Sequence, residues 1–207
     1  MHILIVFACY MASTARSAPL PQPGPLVEDQ HFQEILQRSR SLTQKILLSI
    51  PDTHKSCIHM ETLQLNSSEN AKLVTMASTI GIPPAPVLRA ISENFPLECS
   101  LRRMHEGLLL HRGLLSSVSP QLEVKDKVGD LMADVRDLAV QIKMMLKMVQ
   151  SEASVEPTTA PVSLRLPGDY EVQVAAHLTL VQLQTFGQDV LRILRSLDRS
   201  EKEEDKS

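Results

Sequence analysis

The chain of 207 residues contains no Trp, two Tyr and four Phe, so aromatics make up only 3% of it. A core without large rings must be packed from Leu, Ile, Val and Met, which suits helices better than sheets. Glycine is scarce as well, at seven residues, and the thirteen prolines cluster between apolar stretches and not inside them. Both points argue against an all-β fold. The glycine shortage also removes one class of chemistry. Residues 81–86 (Gly81-Ile82-Pro83-Pro84-Ala85-Pro86) hold too little Gly to cradle a phosphate, and their prolines lack the N–H groups a cradle uses. No nucleophile elbow or HExxH pair is present, so no enzymatic activity and no cofactor is expected. The formal charge is −3, and no basic stripe with interleaved aromatics marks a nucleic-acid surface.

Long hydrophobic runs are missing too, with one short exception. Residues 3–12 form an apolar run of about ten residues, the length of a signal h-region and half of the roughly twenty that span a bilayer. Ala15 and Ser17 supply small residues for cleavage before Ala18. A signal peptide is therefore expected at 1–17, followed by a flexible segment at 18–30 and a helical domain at 31–198. The charged end from Asp198 onward reads as solvated, with a flexible tail at 199–207. Export would remove Arg16 and lower the formal charge of −3 by one. It would also remove Cys9 and leave Cys57 and Cys99, an even count in an oxidising compartment. Membrane insertion is not expected.

What the chain has in quantity is helical periodicity. Val124, Val128, Leu131, Val135, Leu138, Ile142, Met145 and Val149 recur at steps of four and three. A helix over 123–150 would be about 42 Å long, a length that bundles use. Phe32, Leu36, Ser39, Leu42, Ile46 and Ile50 mark a first seam, expected to end at Pro51. Leu97, Leu101, Met104, Leu108, Leu115 and Val118 mark a second. Leu109, Leu110 and Leu114 broaden it, making this helix the expected most-buried one. Ala176, Leu180, Leu183, Phe186, Val190, Leu194 and Leu197 line the last. Only a short turn at 117–122 separates the second helix from the third, so those two should be antiparallel neighbours. The other two links are long, about 45 and about 20 residues. Two long crossovers around one short turn predict an all-α, up-up-down-down, left-handed four-helix bundle. A short helix is expected within 68–80.

Few polar residues suggest chemistry. His54, Cys57 and His59 are zinc-ligand types, but they fall after a proline with no second cluster and read as loop residues. His105, His111 and His177 read as helix-edge residues. Asp134 and Asp137 lie one turn apart and should share an exposed acidic face.

Several segments carry a family resemblance. Residues 80–86, the stretch 99–115 with Gly107-Leu108-Leu109-Leu110-His111-Arg112-Gly113-Leu114-Leu115, residues 119–122, 134–139 and 174–178 match in order over roughly 30–198. In these segments the chain resembles the granulocyte colony-stimulating factor family, long-chain four-helix cytokines of the interleukin-6 class. The resemblance implies a secreted, monomeric growth factor that pairs a haematopoietin-class cell-surface receptor in an immune response. It implies one receptor surface on the first and third helices, with Asp134 and Asp137 matching the family's acids. On the first helix the matching residues are Gln37, Arg38 and Arg40, although Gln37 replaces a family Glu and Ser41 a family Lys. A second implied surface uses Glu61; Arg165 stands nearest the position of its aromatic partner. The family closes two small disulfide loops, whose second cysteines match Cys57 and Cys99, while Pro51 and Ala90 occupy the partner positions. Joining Cys57 to Cys99 would span opposite ends of two parallel helices about 30 Å long, against the 7 Å or so that a disulfide allows. Free thiols or pairing between chains are thus expected.

Asn66-Ser67-Ser68 is an N-glycosylation triplet, and Thr158 and Thr159 between prolines are candidate O-glycan sites. The alternative reading is an exchangeable lipid-binding helical protein of apolipoprotein type. Such chains carry Pro-punctuated helical repeats, and none is found here.

Overall fold

The computed structural model describes residues 29–91, 96–150 and 162–198. Five α-helices form its frame: α1 (Gln30–Cys57), α2 (Val74–Ile80), α3 (Leu97–Val118), α4 (Asp126–Val149) and α5 (Asp169–Ser196). No strand occurs among these residues. The four long helices make the bundle, and α2 lies in the first crossover after a 3₁₀ turn at Ser68–Leu73.

Cross-helix bonds fix the directions. Ser39 of α1 meets Gln141 of α4 at 3.0 Å, Lys45 meets Asp134 at 2.7 Å and Asp52 meets Lys127 at 3.8 Å. Numbers rise along one helix as they fall along the other, so α1 and α4 are antiparallel. The pairs Arg40–Asp198 and His54–His177 order α1 against α5 in the same way. Since the short turn makes α3 antiparallel to α4, α1 runs parallel to α3, and α4 to α5. The topology is up-up-down-down.

The periodic residues are the core. Phe32, Leu36, Ile46, Leu108, Leu138, Ile142 and Leu183 are each fully or almost fully buried. Asp29 caps α1 by accepting from Phe32 N–H at 2.9 Å, where the first core residue enters. At the close α3–α5 approach, a Cβ on Gly107 would lie 2.2 Å from the Phe186 ring, so only glycine admits that ring. Gly81 ends α2 at φ 90°, a left-handed cap that turns the chain into the proline segment.

Four expectations need correction. Helix α1 does not stop at Pro51 but continues two turns to Cys57. Buried Thr53, Cys57 and Ile58 anchor those turns. Gln173 of α5 clamps them by donating to Cys57 O at 3.2 Å and accepting from His59 N–H at 2.9 Å. Tertiary anchoring thus outweighs the lost backbone bond of proline. Val124 precedes α4 and is 44% exposed, because the helix begins only at Asp126. The broadest buried face belongs to α5, not α3, since α5 packs against both α1 and α3 and also meets α2. Finally, His111 and His177 are not edge residues: both are wholly buried, and His105 is nearly so.

Candidate receptor-binding surface

The antiparallel pairing of α1 and α4 brings their flanks together along a groove of about 360 Å³ whose polar lining includes Lys45, Asp52, Lys127, Asp130 and Asp134. Val135 and Leu138 turn inward, which sends Asp134 to the groove edge and Asp137 outward. Asp134 is only partly exposed because it accepts from Lys45 Nζ at 2.7 Å. The Asp134 carboxylate holds the Lys45 ammonium above its usual value, with Asp130 and Asp137 acting in the same direction. Three carboxylates around one lysine leave this patch net acidic. Asp137 also pairs with its neighbour Arg136 at 2.8 Å.

The α1 residues Gln37, Arg38 and Arg40 separate. Arg38 is exposed. Arg40 turns toward α5 and forms an ion pair with Asp198, with side-chain exposures of 14% and 5%. Gln37 Nε2 donates to the same Asp198 carboxylate at 2.6 Å. Asp198, expected in a solvated end, is instead a buried anchor of α1. Sequence reasoning missed both Lys45 and Asp198. Lys45 had a legible sign, a cation on the flank of α1, but its register against Asp134 required the bundle.

Glu61 is exposed in the first crossover, beyond the C-terminal end of α1 and well away from Arg40. Arg165 is exposed, and its backbone N–H donates to Ile80 O at 2.9 Å, tying the second crossover to the end of α2. Asn66 is exposed. Thr158 and Thr159 lie outside the described residues, as do 1–28 and the tail 199–207.

Cys57 is a buried free thiol and Cys99 a half-buried one. They sit at the C-terminal end of α1 and the N-terminal end of α3, opposite ends of parallel helices. His54 and Cys57 are helical, not loop residues, and His54 bonds His177 and not His59. No grouping of three His, Cys, Asp or Glu suited to a metal occurs among the described residues. None of their helices is long and apolar enough to cross a membrane.

No family model matches the chain. Curated relatives do. Granulocyte colony-stimulating factor of Ovis aries is 30% identical over 137 residues, covering 65% of this chain and 71% of that protein. The same factor from Sus scrofa is 26% identical over 199 residues, covering 95% and 93%. The Homo sapiens factor is 27% identical over 184 residues, covering 87% and 82%. The similarity runs through the helices and both crossovers of the up-up-down-down bundle, and the chain belongs to the granulocyte colony-stimulating factor family.

Proposed function

We propose that this cytokine is secreted after removal of residues 1–17 and, as a monomer, pairs a haematopoietin-class receptor on granulocyte-lineage cells to drive their proliferation and differentiation. The observation that carries this reading is its similarity to granulocyte colony-stimulating factors over most of the chain. Asp134 and Asp137, with the exposed Gln37 and Arg38 and the partly sheltered Arg40, form the main receptor surface along α1 and α4. Glu61 belongs to a second surface at the other end of α1. The acidic balance around Lys45 suits a basic receptor patch, since opposite potentials steer and orient association. Asn66 carries an N-glycan, and Thr158 and Thr159 carry O-glycans. No observation favours lipid binding, because the wide apolar faces of these helices are used up inside the bundle.

The test is receptor-dependent kinase phosphorylation and proliferation in myeloid progenitor cells treated with the secreted protein. A dose-dependent response that a soluble receptor ectodomain blocks is expected. No response from cells carrying the family's receptor would overturn the assignment.

A further inference from the structure

The Lys45–Asp134 pair joins an exposed cation to a sheltered acid: the two side chains are 65% and 15% exposed. Asp134 accepts from Lys45 Nζ at 2.7 Å. Leu131 and Val135 are buried on the same helix, which sets the rotation of α4 and keeps the carboxylate at the groove edge. What faces solvent at this point is thus the ammonium and not the carboxylate. The ammonium keeps its charge at neutral pH, because Asp134 holds it above its usual value, with Asp130 and Asp137 adding to the pull.

A receptor cation bound for Asp134 therefore meets a like charge already seated there. It reaches the acid only after Lys45 has moved. That move costs little. Among the described residues Lys45 bonds nothing but Asp134, and its flexible four-carbon stem lies largely in solvent. Asp130 offers a second seat. It lies one turn before Asp134 on α4, is exposed, lines the same groove of about 360 Å³ and forms no ion pair among the described residues. The groove's other cation, Lys127, stands two turns from Asp134, 3.8 Å from Asp52. Arg40 of α1 is held by Asp198 and does not compete.

We propose that Lys45 is a built-in competitor for the receptor cation: it covers Asp134 in the free cytokine, gives up the carboxylate and moves toward Asp130 on docking, and so holds receptor affinity below what the α4 acids alone would give. The competition rests on the receptor surface proposed for α1 and α4. Breaking an exposed pair lowers affinity by up to about fivefold. A like charge at the rim also slows association. Both effects have the same sign, so removing the Lys45 charge should strengthen binding although a polar contact is lost.

The test is surface binding of the secreted protein to the soluble receptor ectodomain, with circular dichroism melts beside it. Lys45→Gln should bind about two- to fivefold more tightly than wild type, chiefly through faster association, and the gain should shrink as salt rises. Lys45→Arg keeps the charge and can grip a carboxylate with two bonds, so it should show no gain. In an Asp134→Asn background Lys45→Gln should gain little or nothing, since no carboxylate is left there to compete for. Melting temperatures of the Lys45 variants should stay within about 3 °C of wild type, so that affinity reads the exchange and not folding. A wild type that fails to bind, or Asp134→Asn that binds as wild type does, would remove the receptor surface and the competitor with it. Where Asp134→Asn weakens binding, three results would overturn the competitor alone: no gain in Lys45→Gln, an equal gain in Lys45→Arg, or an equal gain over Asp134→Asn.

Discussion

Lys45 Nζ of α1 lies 2.7 Å from Asp134 Oδ1 of α4, so the acid that best marks the α4 face is already engaged within the chain, while Asp137 one turn on bonds only its neighbour Arg136. The two acids should therefore separate in their effects. Exposed ion pairs contribute little to folding, because solvent screens them and two long side chains must be ordered. Asp137→Ala should leave the melting temperature within about 3 °C of wild type, and Asp134→Ala should lower it slightly more. The double variant should weaken binding to the receptor ectodomain at least about tenfold, since a receptor cation is then left unmatched. Surface binding with circular dichroism melts alongside checks this. Unchanged affinity in the double variant would mean that the face is merely solvated.

Arg40 and Asp198 behave differently because they are sheltered. Removing one partner leaves the other charge buried. Asp198→Ala should cost about 2–3 kcal/mol by urea denaturation, even though the residue stands at the very end of the helical domain. Gln37→Ala removes only a neutral donor and should cost about 1 kcal/mol or less. Arg40→Met combined with Asp198→Leu should recover most of the loss, because neither sheltered charge remains. If Asp198→Ala is neutral, the pair is open to water and does not anchor α1.

The periodic parts of this fold were legible from sequence. Val128, Leu131, Val135, Leu138, Ile142 and Met145 repeat at helical spacing, and each is buried. Link lengths alone predicted the topology that the α1–α4 pairs exhibit. What failed was whatever depended on a distant partner. Pro51 looked like a stop because its local effect is legible, whereas the Gln173 clamp that holds the next turns comes from α5. His111 looked like an edge residue because neither Gly107, which makes the space, nor Phe186, whose ring centroid lies 5.1 Å away, can be assigned to it from spacing. Asp198 looked solvated because it opens a run of mixed charges. The same limit applies to Lys45 and Asp134, legible separately but not as a pair.

The two thiols should differ in reactivity. Burial pushes the Cys57 thiol up to about 11, so at neutral pH it holds almost no thiolate, and solvent scarcely reaches it. Cys99 is half-buried at the start of α3. Brief treatment of the folded protein lacking residues 1–17, and so Cys9, with iodoacetamide at about pH 8 should add one label, at Cys99, and denaturation should expose the second. Peptide mapping reads the result. Equal labelling of both under native conditions would mean that the end of α1 opens easily.

The last prediction concerns acid stability. His111 is wholly buried against Phe186, with its Nδ1 2.6 Å from Gly107 O and its Nε2 without a partner. Its neutral tautomer carries the hydrogen on Nδ1, where it donates to the carbonyl. A second proton on Nε2 would bury a charge with nothing to receive it, and burial lowers the pKa from 6.5 to about 4 despite the Gly107 bond. The unfolded chain binds that proton more readily than the folded one. The contribution of neutral His111 is therefore fully present above about pH 6.5, is lost as pH falls toward 4, and changes no further below that. The shift corresponds to roughly 3 kcal/mol across the window. His177, also lowered to about 4, adds a slope of the same sign. His111→Leu should remove only the first contribution. The urea stability of wild type minus that of the variant should thus be greater at pH 7 than at pH 4, by roughly 3 kcal/mol. Parallel stability curves for the two proteins would mean that His111 finds water or a partner when it gains its proton.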